Sequence, residues 1–110
     1  MADSPQFGAL LQLTAREGLR DELVRVLGNY LNTLEGEPGT LLVAFAADPN
    51  DENLVWAWEE FADANAVQAH FEHDFFRALQ MELADLLAET PLVRPLAPIA
   101  HRVQPGVVAE

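Results

Sequence analysis

The chain contains no cysteine and no lysine. Without cysteine there is no disulfide, thiolate nucleophile, thiolate zinc site or iron–sulfur cluster. Without lysine there is neither Schiff-base chemistry nor a phosphate-gripping lysine of the Walker type. Positive charge is scarce altogether. Six arginines stand against 18 acidic residues, for a formal net charge of −12. A surface of that sign repels phosphate backbones and anionic headgroups, so neither a nucleic-acid nor a membrane partner is expected. No apolar run approaches the roughly 18 residues of a membrane-spanning helix. Met1-Ala2-Asp3-Ser4-Pro5 lacks the basic and apolar regions of a secretory signal, and a cytoplasmic location is the expectation. Carboxylates, three histidines, one tyrosine and hydroxyls remain for chemistry.

Half of the 110 residues are hydrophobic, enough for one domain over 1–110 with a core at about 7–96. Phe7 to Thr14 reads as a strand, with a turn at Arg16-Glu17-Gly18. From Leu19 the period becomes helical: Leu19, Leu23, Val26, Leu27, Tyr30, Leu31 and Leu34 share one face. Glu35-Gly36-Glu37-Pro38-Gly39 stops that helix. Thr40 to Ala47 and Leu54 to Phe61 flank a polar loop and suit a hairpin. Asp63 opens a helical stretch to about Ala88, broken near His73, where Asp74 is the expected cap of a second segment. Leu92 to Leu96 is a last strand, marked as an edge by Pro91 and Pro95. Residues 97–110 are an arm or a tail. The order strand, helix, strand, strand, helix, strand predicts an α+β, ferredoxin-like βαββαβ antiparallel sheet with its helices on one face.

An antiparallel sheet with one wet face should alternate apolar and polar residues. These strands do not. Strand two offers Leu41, Val43 and Phe45 on one side and Leu42, Ala44 and Ala46 on the other. Strand three offers Val55, Ala57 and Phe61 on one side and Leu54, Trp56 and Trp58 on the other. Helices of this topology cover one face only. Leaving two tryptophans in water forfeits several kcal/mol, at roughly 25 cal/mol per Å². An apolar patch of that size marks an interface, and a second copy of the chain is its simplest occupant. Trp56 and Trp58 are therefore the expected homodimer contacts. The bland alternative is that the C-terminal arm folds over its own sheet.

The segment Glu59-Glu60-Phe61 through Val67-Gln68-Ala69-His70 resembles the signature of the antibiotic biosynthesis monooxygenase (ABM) superfamily. There, a strand ending Glu-x-Trp runs into a helix and reaches a histidine nine residues beyond the aromatic. Glu59, Phe61 and His70 take those places, and Gly18, Pro38-Gly39 and Phe76 fall where the family tends to put them. The resemblance spans about Phe7 to Leu96. It implies a dimeric α+β barrel with a pocket between sheet and helices. Members oxidise quinols or aromatic polyketides without a cofactor, degrade haem, or isomerise small phosphorylated sugars and related compounds. The places that resemble the haem-site residues hold Leu11, His70 and Gln80, all different from the family's haem degraders. The third-strand places used by the polyketide enzymes hold Ala57 and Phe61, which departs from their pattern. No cofactor is therefore expected.

Glu59 shares a strand face with Val55, Ala57 and Phe61, and a carboxylate there needs a partner or a proton. His70 is the natural one. As a catalytic pair, Glu59 and His70 are a general base and its orienting acid, acting on a phenolic or enolic proton. As a structural pair, they are a buried bond joining strand to helix. The expected pocket wall is Leu11, Leu27, Tyr30, Ala57, Phe61 and Val67, each of them also an ordinary core residue. His70 and His73 have a spacing that can hold a metal, but no further ligand is apparent and no metal is expected. His101 reads as solvated. The leading expectation is a monooxygenase acting on a quinol-like substrate with dioxygen. An isomerase using the same pair and a non-catalytic ligand-binding dimer are the alternatives.

Overall fold

The computed structural model describes residues 7–100, 102 and 104. His101, expected in the solvated arm, lies outside the described residues. Four strands, β1 (Phe7–Thr14), β2 (Thr40–Ala47), β3 (Leu54–Phe61) and β4 (Leu92–Leu96), form one antiparallel sheet in the order β2-β3-β1-β4. Helix α1 (Arg20–Leu31) links β1 to β2, and α2 (Ala64–Glu72) and α3 (Asp74–Ala84) link β3 to β4. This is the ferredoxin-like arrangement that the order of periods implies. Apolar side chains of α1, of α3 and of one sheet face make the core, with Leu23, Leu27 and Val55 among its most buried members.

Burial explains the strands. Along β3, Val55, Ala57, Glu59 and Phe61 are buried beneath the helices, while Trp56, Trp58 and Glu60 on the opposite face are half-buried. That outer face continues through Leu42, Leu10, Leu92 and Leu96 by strand register. Each indole donates to a carboxylate: Trp56 to Asp48 at 2.9 Å and Trp58 to Glu60 at 2.6 Å. A Cβ on Gly8 would meet both the Trp58 ring at 2.9 Å and Pro98 at 3.2 Å, so the chain following β4 covers part of this face. Ile99, just beyond, is fully exposed.

Local differences from the periodic reading have physical causes. A register shift between Thr40 and Leu42 leaves Leu41 without a partner on β3, and it is exposed where Val43 and Phe45 are half-buried. Helix α1 is α-helical only to Leu31 and tightens into a 3₁₀ turn over Asn32–Gly36, which leaves Leu31 exposed. Asp63 caps α2 by accepting from Ala66 N–H at 2.8 Å. The cap of α3 is His73 rather than Asp74: its Nδ1 accepts from Phe75 N–H at 3.2 Å. Helix α3 ends at Ala84, short of Ala88, because Leu87 leaves the helix to bridge Ala15. No helix among the described residues is long and apolar enough to cross a membrane.

Candidate functional site

A cavity of about 510 Å³ lies between the sheet and helices α1 and α3. Its wall is apolar, formed chiefly by Leu11, Phe45 and Ala57 from the strands and by Leu27, Phe76 and Leu79 from the helices. Two buried residues with polar side chains, Glu59 and Tyr30, stand on this wall. Gln80, Glu89 and Thr90, all exposed, mark the side open to solvent.

The local sequence places each group. Strand alternation turns Glu59 to the helix side with Ala57 and Phe61. Helix α2 then carries His70 back over that face, where it is 1% exposed. Four aromatic rings, Tyr30, Phe61, Phe71 and Phe76, surround the imidazole with centroids between 5.1 and 6.3 Å away.

His70 faces two carboxylates. Its Nε2 lies 3.8 Å from Glu59 Oε2, and its Nδ1 lies 2.7 Å from Glu37 Oε1. The same Glu37 oxygen accepts from the Thr40 hydroxyl at 2.8 Å, which marks it as an acceptor and gives the Nδ1 proton to histidine. Glu37 is itself buried, and its Oε2 is the buried side-chain polar atom left without a hydrogen-bond partner among the described residues. Pro38 holds Glu37 in an extended conformation, with φ −123° and ψ 78°. Gly39 lets α2 settle on this loop: a Cβ there would come within 2.5 Å of the Ala66 Cβ.

Burial pushes the Glu59 carboxyl above the ordinary glutamate range; the nearby imidazole opposes this and the Glu37 carboxylate adds to it. Burial, reinforced by the two carboxylates, raises the Tyr30 hydroxyl too, so it keeps its proton at any physiological pH. That hydroxyl is 3.5 Å from both imidazole nitrogens, too long and too symmetric for a directional bond to either.

Of the residues singled out from sequence, Leu11, Leu27, Tyr30, Ala57 and Glu59 line the cavity. Phe61 and Val67 do not. Phe61 packs against His70, and α2 contributes Phe71 while α3 supplies most of the helical wall, including Phe76 and Leu79. His70 does not line the cavity and lies behind wall residues Glu59, Tyr30, Phe71 and Phe76. His73 is committed to its capping bond, and no group of three or more potential metal ligands occurs among the described residues. Glu37 was not legible as a site residue.

The profile of the antibiotic biosynthesis monooxygenase family matches residues 6–82, and the chain belongs to that family. Solved structures of similar fold include PA3566 from Pseudomonas aeruginosa, with a TM-score of 0.78 at 23% identity over 88% of this chain and 97% of that one. NE2512 from Nitrosomonas europaea, a protein of unknown function, gives 0.77 at 24% identity over 93% and 97%. Rv0793 from Mycobacterium tuberculosis gives 0.79 at 18% over 91% and 100%. At these identities the likeness establishes the shared fold. No curated protein matches the sequence.

Proposed function

We propose that the protein is a cofactor-independent monooxygenase that oxidises a small, reduced, quinol-like aromatic with dioxygen. The observation that carries this reading is Glu59: a buried carboxylate, with raised proton affinity, on the wall of an otherwise apolar cavity in a chain of this family. A general base works best when its proton affinity lies near the operating pH, and burial moves Glu59 toward that point.

The chemistry needs little more. Glu59 takes a phenolic proton, and the phenolate, electron-rich in a dry cavity, passes one electron to dioxygen. Recombination of the radical pair forms a carbon–oxygen bond. Return of the proton as the oxygen–oxygen bond breaks leaves one oxygen atom in the product and releases the other as water. For a simple quinol the balance is quinol plus dioxygen giving hydroxyquinone plus water. Tyr30, always protonated, donates to a substrate oxygen and orients the ring. Leu11, Leu27, Phe45, Ala57, Phe76 and Leu79 exclude water.

An isomerase would use the same carboxylate. None of the six arginines lines the cavity to hold a phosphate, which favours an uncharged aromatic over a phosphorylated sugar. The working unit in this reading is a homodimer joined through the outer sheet face, with Trp56 and Trp58 at its centre; the half-buried indoles and the exposed Leu42, Leu92 and Leu96 support it. Oxygen uptake with a panel of quinols tests the function. Consumption of one dioxygen per substrate, lost in Glu59→Gln, is expected. No uptake with any quinol, together with tight binding of the same compounds, would favour a ligand-binding role.

A further inference from the structure

We propose that Glu37, His70 and Glu59 form a buried proton relay, in which Glu37 fixes the His70 ring so that Nε2 accepts the proton Glu59 removes from a ligand. The inference rests on Glu59 being the base of the reading above. It adds a residue 33 positions before His70 and a direction of proton movement.

The two distances carry the argument. On one side of the ring, 2.7 Å between Nδ1 and Glu37 Oε1 is a short charge-assisted hydrogen bond, with Nδ1–H donating. On the other side, 3.8 Å between Nε2 and Glu59 Oε2 is too long for a hydrogen bond. With the single ring N–H given to Glu37, Nε2 is the acceptor that faces Glu59, and no hydrogen bond joins the two at this separation. The ring is therefore held by its Nδ1–H, with its one basic nitrogen aimed at Glu59. Phe61, Phe71 and Phe76 pack against the ring, and the Tyr30 hydroxyl is set symmetrically between its nitrogens.

A proton delivered to this cluster is welcome on electrostatic grounds. Two buried carboxylates flank one imidazole, and no arginine among the described residues pairs with either; the unpartnered Glu37 Oε2 shows how little else is available. When a ligand O–H gives its proton to Glu59, that proton can pass from Oε2 to Nε2. The imidazolium then lies between two carboxylates, paired with both, and the ligand is left as its anion. Nothing else changes hands. Reversal of the same path returns the proton when the oxidised intermediate needs it. Burial, which raises the proton affinity of Glu59, favours the first step, uptake of the ligand's proton, and the two carboxylates on either side of the ring draw that proton onward. Glu37 reaches neither the cavity nor a ligand and is a positioning residue.

The test is ¹⁵N NMR of the His70 ring in the whole protein, without substrate. At neutral pH the wild type should give a protonated Nδ1 and an unprotonated Nε2. In Glu37→Gln, whose amide can donate to Nδ1 as well as accept from it, the ring should shift measurably toward the Nε2–H form. With an active substrate, kcat should fall about 10²-fold with KM little changed, the size expected for losing proton-transfer efficiency. A wild-type ring protonated at Nε2 and bare at Nδ1 would overturn the relay without any variant having to fold. So would a Glu37→Gln protein whose ring tautomer matches the wild type. The ring spectrum is independent of turnover, so failure of the monooxygenase reading and failure of the relay are separate results.

Discussion

His70 Nδ1 lies 2.7 Å from Glu37 Oε1 although 33 residues separate the two, and this bond ties the loop before β2 to the end of α2. Each partner is buried, and Pro38 and Gly39, which follow Glu37, shape the contact from the loop side. The first fixes the extended backbone and the second leaves room for α2. Strand β3 supplies the third member, Glu59, and the only one of the three that reaches the cavity.

Glu59→Gln separates function from stability. Turnover should fall by about 10²–10⁴, the range for loss of a general base. Stability should move the other way as pH rises. The folded-state proton affinity of Glu59 is raised, so its contribution is fully present below the unfolded glutamate value and is lost as pH climbs through the folded one. Thermal unfolding at several values between about pH 4 and pH 8 should therefore find the variant gaining on wild type toward the alkaline end. A constant difference across that window would contradict a proton affinity raised by burial.

Gly39→Ala should destabilise the fold by about 1–3 kcal/mol, because the new methyl group would overlap the Ala66 Cβ and force α2 outward. Urea unfolding measures the loss. Displacement of α2 also carries His70 away from Glu37, so activity should drop together with stability, unlike in Glu59→Gln.

Tyr30→Phe keeps the ring in the cavity wall and removes only a hydroxyl whose contacts to His70 are at the limit of hydrogen bonding. Stability should change by less than about 1 kcal/mol, while kcat/KM falls about threefold to tenfold, the value of one substrate hydrogen bond. Unchanged kinetics would remove Tyr30 from the site.

Trp58→Glu tests the assembly. A charge on the apolar outer face, where the Trp58 ring packs over Gly8, should turn a dimer into an unstable or aggregating monomer in sedimentation. A well-folded, intact dimer would contradict the interface, and point to the chain's own segment after β4 as the cover of that face.

Much of this was legible in the sequence because it is periodic. Element order, the buried side of β3 and the apolar stripe of α1 follow from spacings of two and of three to four residues. Glu59 and His70 were legible as a pair because one strand and one helix, adjacent in the chain, bring them together. Glu37 was not. In Glu35-Gly36-Glu37-Pro38-Gly39 it reads as one more acidic residue in a helix stop, and its burial depends on a tertiary contact that no local period encodes. Its one local signal was an acidic residue held extended by the following proline, next to a glycine where a helix approaches. Val67 differs for a related reason: α2 turns Phe71 rather than Val67 to the cavity and the break at His73 gives most of the helical wall to α3, which a helical stripe alone does not tell.

The central claim is that Glu59 is the base of a cavity in which dioxygen oxidises a bound phenolic compound. Dioxygen consumption by the purified, cofactor-free protein with a quinol panel measures it directly, run beside Glu59→Gln. The account predicts stoichiometric uptake with at least one quinol and a loss of about 10²-fold or more in the variant. Equal uptake by the wild type and Glu59→Gln would contradict it.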